Sequence, residues 1–439
     1  MIVKNDETHW PFIRRRQDGV NPGEARDLPI VISRTPCPVA ARFSSMNSVS
    51  HPAGITTLHR LCPGSWAELE PSLARMTSNC PVTLILPCHA RELGSEALTE
   101  MVRELAEASW LRRIVIGLDG APAEDLPAAR QTFGRLPQET VLLWTTGPEV
   151  LAVESQLQAA GLAIADSGKG RNVWLCAGLV LACGDVPGLV ALHDCDIKNY
   201  SRELPGRLCY PLLEKSRGLR FNKGFYSRHS DRLHGRLQRL LLRPLLQAME
   251  LRAGPVGLLQ FLSAFRYPLA GESAMDTELL RQLNFPSTWG LEIGLLREVR
   301  RQLDPREVCQ TELCAAYDHK HHDLSPDDAT QGLHRMAREV SGTLLATVSG
   351  GTYPWREQIV ETWQDMAAEA LRQAAAEAAL NGLAHFPEQE ALAVLTFGKA
   401  LQAAVEEPVP PALLPSWEAA ERAVPGILTL LKAASAGSV

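Results

Sequence analysis

His193-Asp194-Cys195-Asp196 sets two carboxylates one residue apart. Two such groups at a strand end can share one hard divalent cation, because magnesium and manganese take oxygen ligands and leave positions for substrate phosphates. A cation held there would neutralise a departing diphosphate. A solvated acidic turn can have the same sequence, so the motif needs context. Ser167-Gly168-Lys169-Gly170-Arg171-Asn172 offers different chemistry. Its glycines let backbone approach a ligand, the helix start that follows presents free N–H groups to anions, and Lys169 adds charge. The spacing is not that of a P-loop.

Three further segments hold ionisable groups. Arg220, Lys223, Arg228, His229, Arg232, His234, Arg236, Arg239 and Arg243 make a local basic zone, suited to a phosphorylated or carboxylated small molecule or to a solvated helix face. No aromatic stacking pattern accompanies it, which argues against RNA. In Tyr317-Asp318-His319-Lys320-His321-His322, the alternating His319 and His321 are candidate metal ligands. Gly271-Glu272 and Trp289-Gly290-Leu291-Glu292-Ile293-Gly294 place acids near helix starts, where the dipole favours them in any case.

These residues need a scaffold, and the apolar pattern supplies one. Val82 to Pro87, Arg113 to Asp119 and Val141 to Thr146 read as buried strands. Helical patterns over 94–108, 122–134 and 148–160 separate and follow them, and an apolar helix runs from the GKG turn to about Cys183. Alternation of this kind implies βαβ units and a parallel sheet. Gly188 to Asp196 is a strand ending in Asp194 and Asp196, at the strand end where open α/β sheets bind ligands. Leu219 to Arg228 is a further strand, with a basic helix expected over 232–249. Beyond it, 272–283 and 290–303 read as amphipathic helices, and Ala/Glu-rich helices (355–381, 387–406) dominate the end. The expected division is an irregular extension over 1–77, an α/β unit over 78–327 and a helical region over 328–439.

Composition narrows the class. Lys plus Arg is 44 and Asp plus Glu is 50, a net charge of −6, with 45% hydrophobic residues. That excludes disorder over the whole chain and a global basic field. No long uncharged apolar stretch predicts a membrane span, and no N-terminal apolar core predicts a signal peptide. Ten scattered cysteines without CxxC pairs point to reduced thiols in the cytoplasm.

The order of these segments resembles the nucleotide-sugar-dependent glycosyltransferases of the GT-A fold, and more narrowly the glucosyl-3-phosphoglycerate synthase family. The resemblance covers about 80–325. It is carried by Ile85 to Pro87, Ser167 to Trp174, Asp194 to Ile197, Lys223 to Arg228, Gly235 to Leu246, Tyr267 to Leu280 and Phe285 to Leu296. The last three segments are the most specific.

The resemblance implies an α/β GT-A domain with a helical C-terminal extension, acting as a cytoplasmic, metal-dependent retaining glucosyltransferase. Mg2+ or Mn2+ would be held by Asp196 and His319. Pro87 and Cys88 match the nucleotide-base pocket, Lys169 a donor-side lysine, and Leu269, Ala270 and Gly271 the donor-sugar loop. Asp194 lies near the donor ribose and sugar, and Glu292 faces the transferred sugar as an orienting group. Asp194, Asp196 and Glu292 thus form the catalytic set. Gly235 and Arg236 match the segment that cradles the acceptor phosphate, with Gln238 and His321 at the same end. Where the family commonly has Thr this chain has Gln238, and where it has Arg-Asn after the histidine this chain has Lys320-His321. Both departures face the acceptor, so 3-phosphoglycerate and free glycerate stay open, as do glucose and mannose. The partners implied are a nucleoside diphosphate glucose and a small acid, with a homodimer possible and no nucleic acid or membrane. A sugar nucleotidyltransferase would place its Gly-rich loop directly after the first strand. Here PCHARELG follows that strand, and the GKG turn comes about 80 residues later.

Overall fold

The computed structural model of the 439-residue chain describes residues 54–164, 168–184, 187–254, 256–320, 322–349, 355, 358–407 and 413–435. Its strands are β1 (Thr56–Leu58), β2 (Val82–His89), β3 (Arg113–Asp119), β4 (Glu139–Trp144), β5 (Leu189–Leu192), β6 (Phe221–Tyr226), β7 (Ser273–Asp276), β8 (Phe285–Pro286), β9 (Val308–Cys314) and β10 (Leu413–Leu414). Eight of them form one sheet in the order β1-β9-β6-β7-β5-β2-β3-β4, and β8 pairs with β10. Every neighbouring pair in the large sheet is parallel except those of β7, which runs antiparallel to both β5 and β6.

Apolar cores cover both faces. Along β2 the side chains alternate with period two: Ile85 enters one core, while Val82, Leu84, Leu86 and Cys88 enter the other. On the first face lies the helix Lys169–Cys183. On the second lie Glu96–Ala106 and Glu203–Leu213.

Three expectations change. Residues 272–283 do not form one helix: the chain first runs as β7 and turns helical only over Thr277–Gln282. Asp276 makes the junction by accepting from the Leu279 N–H at 2.7 Å and pairing with Arg220 at 2.6 Å. β9 is a strand the apolar pattern did not announce. Its interior Gln310 is buried and satisfied by Ala264 and Arg266 backbone, so a polar residue breaks an otherwise buried run. The basic helix expected from 232 starts later, as a π-helical stretch Leu237–Leu242 that continues into the α-helix Arg243–Ala253. Pro244 lacks the N–H that an ordinary turn would use, and the wider turn precedes it.

One end of the described chain joins the large sheet, and the other packs against its core. Part of the stretch expected to be irregular forms β1, paired with β9, and the helix Trp66–Thr77, packed on Glu203–Leu213. The helices after 328 fold against the first core face. Trp417 stacks on Trp174 with ring centroids 4.4 Å apart, and its Nε1–H donates to the Trp174 carbonyl at 2.7 Å. Gly178 leaves room for that indole: a Cβ there would lie 2.2 Å from a Trp417 ring carbon. Trp363 Nε1–H likewise donates to Leu241 O at 3.2 Å.

Candidate active site

The C-terminal ends of the parallel strands open into a cavity of about 820 Å³. β2 delivers Pro87 to its wall, and the turn after β5 delivers Asp194 and Asp196. Because β7 is reversed, its N-terminal end reaches the same edge: Ser273 lies opposite Leu192, the last residue of β5. The loop Leu269-Ala270-Gly271 therefore meets the acidic turn. A Cβ on Gly271 would lie 2.5 Å from an Asp194 carboxylate oxygen, so only glycine allows this approach.

Lys169 opens the helix Lys169–Cys183 and reaches into the cavity. Its Nζ sits 2.7 Å from Asp194 Oδ1 and 3.1 Å from Glu292 Oε1. Glu292 comes from the first turn of the helix Leu291–Gln302. Burial works against the Lys169 charge, but the two carboxylates hold its pKa above the ordinary lysine range. Burial also raises the Asp194 pKa, and the ammonium outweighs it, leaving Asp194 ionised with a lowered pKa. For Asp196 the balance is reversed: burial and the Asp194 charge outweigh the Lys169 ammonium and push it up to about 7.

Asp196 and His319 come from distant segments, which a short backbone ladder joins. Ile197 bridges His319 in antiparallel fashion, Lys198 N–H donates to Asp318 O at 2.9 Å, and Asn199 Nδ2 donates to Ala316 O at 2.8 Å. Both side chains line the cavity. Among the described residues no group of three or more His, Cys, Asp or Glu gathers as a metal cage. One carboxylate and one imidazole fit a cation whose remaining positions are filled by phosphate oxygens rather than by protein. The raised Asp196 carboxyl is also a group that an added positive charge would ionise.

Gly235, Arg236 and Gln238 also line the cavity. Gly235 has φ +69°, and a Cβ there would lie 2.9 Å from the Tyr267 hydroxyl. Arg236 is partly buried, with its pKa lowered by burial, and makes no hydrogen bond or ion pair among the described residues. Gln238 is 4% exposed, and neither its amide nitrogen nor its amide oxygen has a partner. Arg228 lies alongside, with its Nε also unsatisfied.

Several sequence candidates are placed differently. Cys88 is fully buried and points into the core opposite Pro87, so its side chain cannot serve a base pocket. His321 lies outside the described residues, as does Ser167. The basic zone is largely dispersed. Arg220 pairs with Asp276, Arg239 pairs with Glu390, and buried Lys223 donates to the Ala270 carbonyl, which braces the loop Leu269-Ala270-Gly271. Glu272 is no helix-start acid. It is buried at the head of β7, where the Tyr226 hydroxyl donates at 2.7 Å and the Tyr317 hydroxyl donates as well.

Sequence reasoning missed the contribution of the C-terminal helices: Met336, His385, Phe386, Gln389 and Glu390 also line the cavity. No motif marks them.

No family model matches the chain. Curated relatives do. The glucosyl-3-phosphoglycerate synthase of Persephonella marina is 32% identical over 381 residues, covering 85% of this chain and 94% of the relative. That of Methanococcoides burtonii is 30% identical over 385 residues, with the same coverage of 85% and 94%. A crystal structure of the Mycobacterium tuberculosis glucosyl-3-phosphoglycerate synthase, in complex with Mn2+, UDP-glucose and phosphoglyceric acid, is 23% identical. It covers 67% of this chain and 88% of its own, with a TM-score of 0.49.

Proposed function

The chain belongs to the glucosyl-3-phosphoglycerate synthase family, and from that premise we propose that one cavity joins a nucleoside diphosphate glucose to 3-phosphoglycerate. The product is glucosyl-3-phosphoglycerate, with the anomeric configuration retained. The observation that carries this reading is the polarity of the cavity. Asp194, Asp196 and Glu292 with Lys169 line the same cavity as Arg228, Arg236 and Gln238, so an acidic set and a basic-amide set share one space.

Asp196 and His319 hold a magnesium or manganese ion, which offsets the charge of the leaving diphosphate. Asp194 faces the donor ribose and sugar, steered by Lys169. Glu292 shares the same ammonium at 3.1 Å, so it orients the sugar rather than attacking it. The acceptor hydroxyl attacks C1 from the face the diphosphate leaves. The C1–O bond to diphosphate breaks, the C1–O bond to the acceptor forms, and the hydroxyl proton passes to a leaving phosphate oxygen. Arg236 and Gln238 hold the acceptor anion in place while this happens. Two guanidiniums, Arg228 and Arg236, suit a phosphorylated trianion better than the monoanion glycerate.

The described cysteines are all free thiols, and no described helix is long and apolar enough to cross a membrane. A reducing cytoplasmic setting agrees with the thiols.

The test is nucleoside diphosphate release with magnesium, UDP-, ADP- or GDP-glucose, and either acceptor. Release that depends on 3-phosphoglycerate is expected. Release with glycerate alone would change the product, and no acceptor-dependent release would leave only the fold.

A further inference from the structure

We propose that Glu390, on the C-terminal helix Pro387–Glu406, is a positioning residue of the acceptor site: it holds Arg239 and, through it, the turn that presents Arg236. This rests on the functional reading above. Glu390 is 8% exposed and takes both terminal nitrogens of Arg239, at 2.9 and 3.1 Å. The remaining nitrogen of that guanidinium, Nε, donates to the His234 carbonyl at 2.8 Å. His234 immediately precedes the left-handed Gly235, and its own N–H donates to the Arg228 carbonyl at 2.8 Å. One carboxylate thus fixes a planar fork, and the fork fixes the turn between Arg228 and Arg236.

Two contacts nearby reinforce the clasp. Ala384 N–H donates to Asp231 O at 2.8 Å, and the Arg232 guanidinium stacks 4.6 Å from the Phe386 ring centroid. An acid in a first helical turn is favourable through the dipole alone, but that would not require burial. A buried ion pair adds little stability over an apolar pair, whereas a bidentate fork sets direction. It also sets charge. Glu390 neutralises Arg239, so the unspent positive charge at this turn is that of Arg236 and Arg228.

The experiment uses the full chain with Glu390→Gln, Glu390→Asp and Arg239→Lys. Acceptor and donor KM, kcat and melting temperature are read for each. Glu390→Gln and Arg239→Lys are each expected to raise the KM for 3-phosphoglycerate about 10-fold, with donor KM within about two-fold. Glu390→Asp restores part of the loss. The double variant is expected to be no worse than its weaker single, because both act through one contact. An unchanged acceptor KM would overturn the proposal. So would a parallel rise in both KM values, which marks a general loss of packing. A wild-type chain that shows no release with 3-phosphoglycerate would overturn the functional reading and this role with it.

Discussion

Two groups of residues that line the cavity are built on opposite plans. In the group proposed for the donor, Lys169 bridges Asp194 and Glu292, and strand ends and a helix start set their positions. In the group proposed for the acceptor, Arg236 and Gln238 are left open, while Arg239 beside them is held by Glu390. Arg236 has no ion pair among the described residues, Gln238 has two unpartnered amide atoms, and the walls come from a turn and from the C-terminal helices. The difference teaches where binding energy must come from. A preorganised group loses little on ligand entry and suits transition-state stabilisation. An unsatisfied group gains its hydrogen bonds only from a ligand that supplies matching oxygens, so it discriminates.

The largest effect should follow loss of Asp196, the proposed metal ligand. Asp196→Ala is expected to lower kcat by about 10³-fold or more, because diphosphate charge goes unscreened. Single-turnover rates at saturating donor and acceptor would show it, and near-normal turnover would remove the metal model. Chelation of the wild-type chain should mimic the variant, with activity restored by magnesium or manganese. Next comes Lys169→Met, which leaves two recessed carboxylates facing each other. A loss of about 10²-fold in kcat/KM for the donor is expected. Equal loss on both substrates would show that the donor group is not a separate unit.

Arg236→Ala tests the other plan. The acceptor KM should rise by about 10- to 100-fold, with donor KM little changed. The smallest effect is expected for Gln238→Leu, which removes two unpartnered polar atoms from a buried position. It should raise the acceptor KM only about 3- to 10-fold while raising the melting temperature. A lower melting temperature would mean that the amide is satisfied in the free protein.

The same contrast explains what could be read from sequence. VTLILP and RIVIGLD are continuous apolar runs because both sheet faces are covered, so their strands were legible. β7 was not: SAMD is four residues long, too short for any period, and its reversal is a matter of topology. β1 was hidden by its brevity, at three residues. Lys169, Asp194 and Glu292 were legible as motif residues, but not the bridge between them, since a lysine does not announce which acids it will meet. Cys88 could have been placed better, because period two in a strand sends it opposite Pro87. Glu390 carried no signal at all. An acid in an Ala/Glu-rich helix looks solvated until the fold brings Arg239 to it.

Reversed β7 has a consequence for how the chain reaches this state. It alone joins the group β1-β9-β6 to the group β5-β2-β3-β4. Until residues 273–276 insert, each group keeps an open edge of unpaired backbone, and such edges invite pairing with other chains. The sheet is complete only when both of these edges have paired with β7. Fragments ending before Ser273 should collect as aggregates.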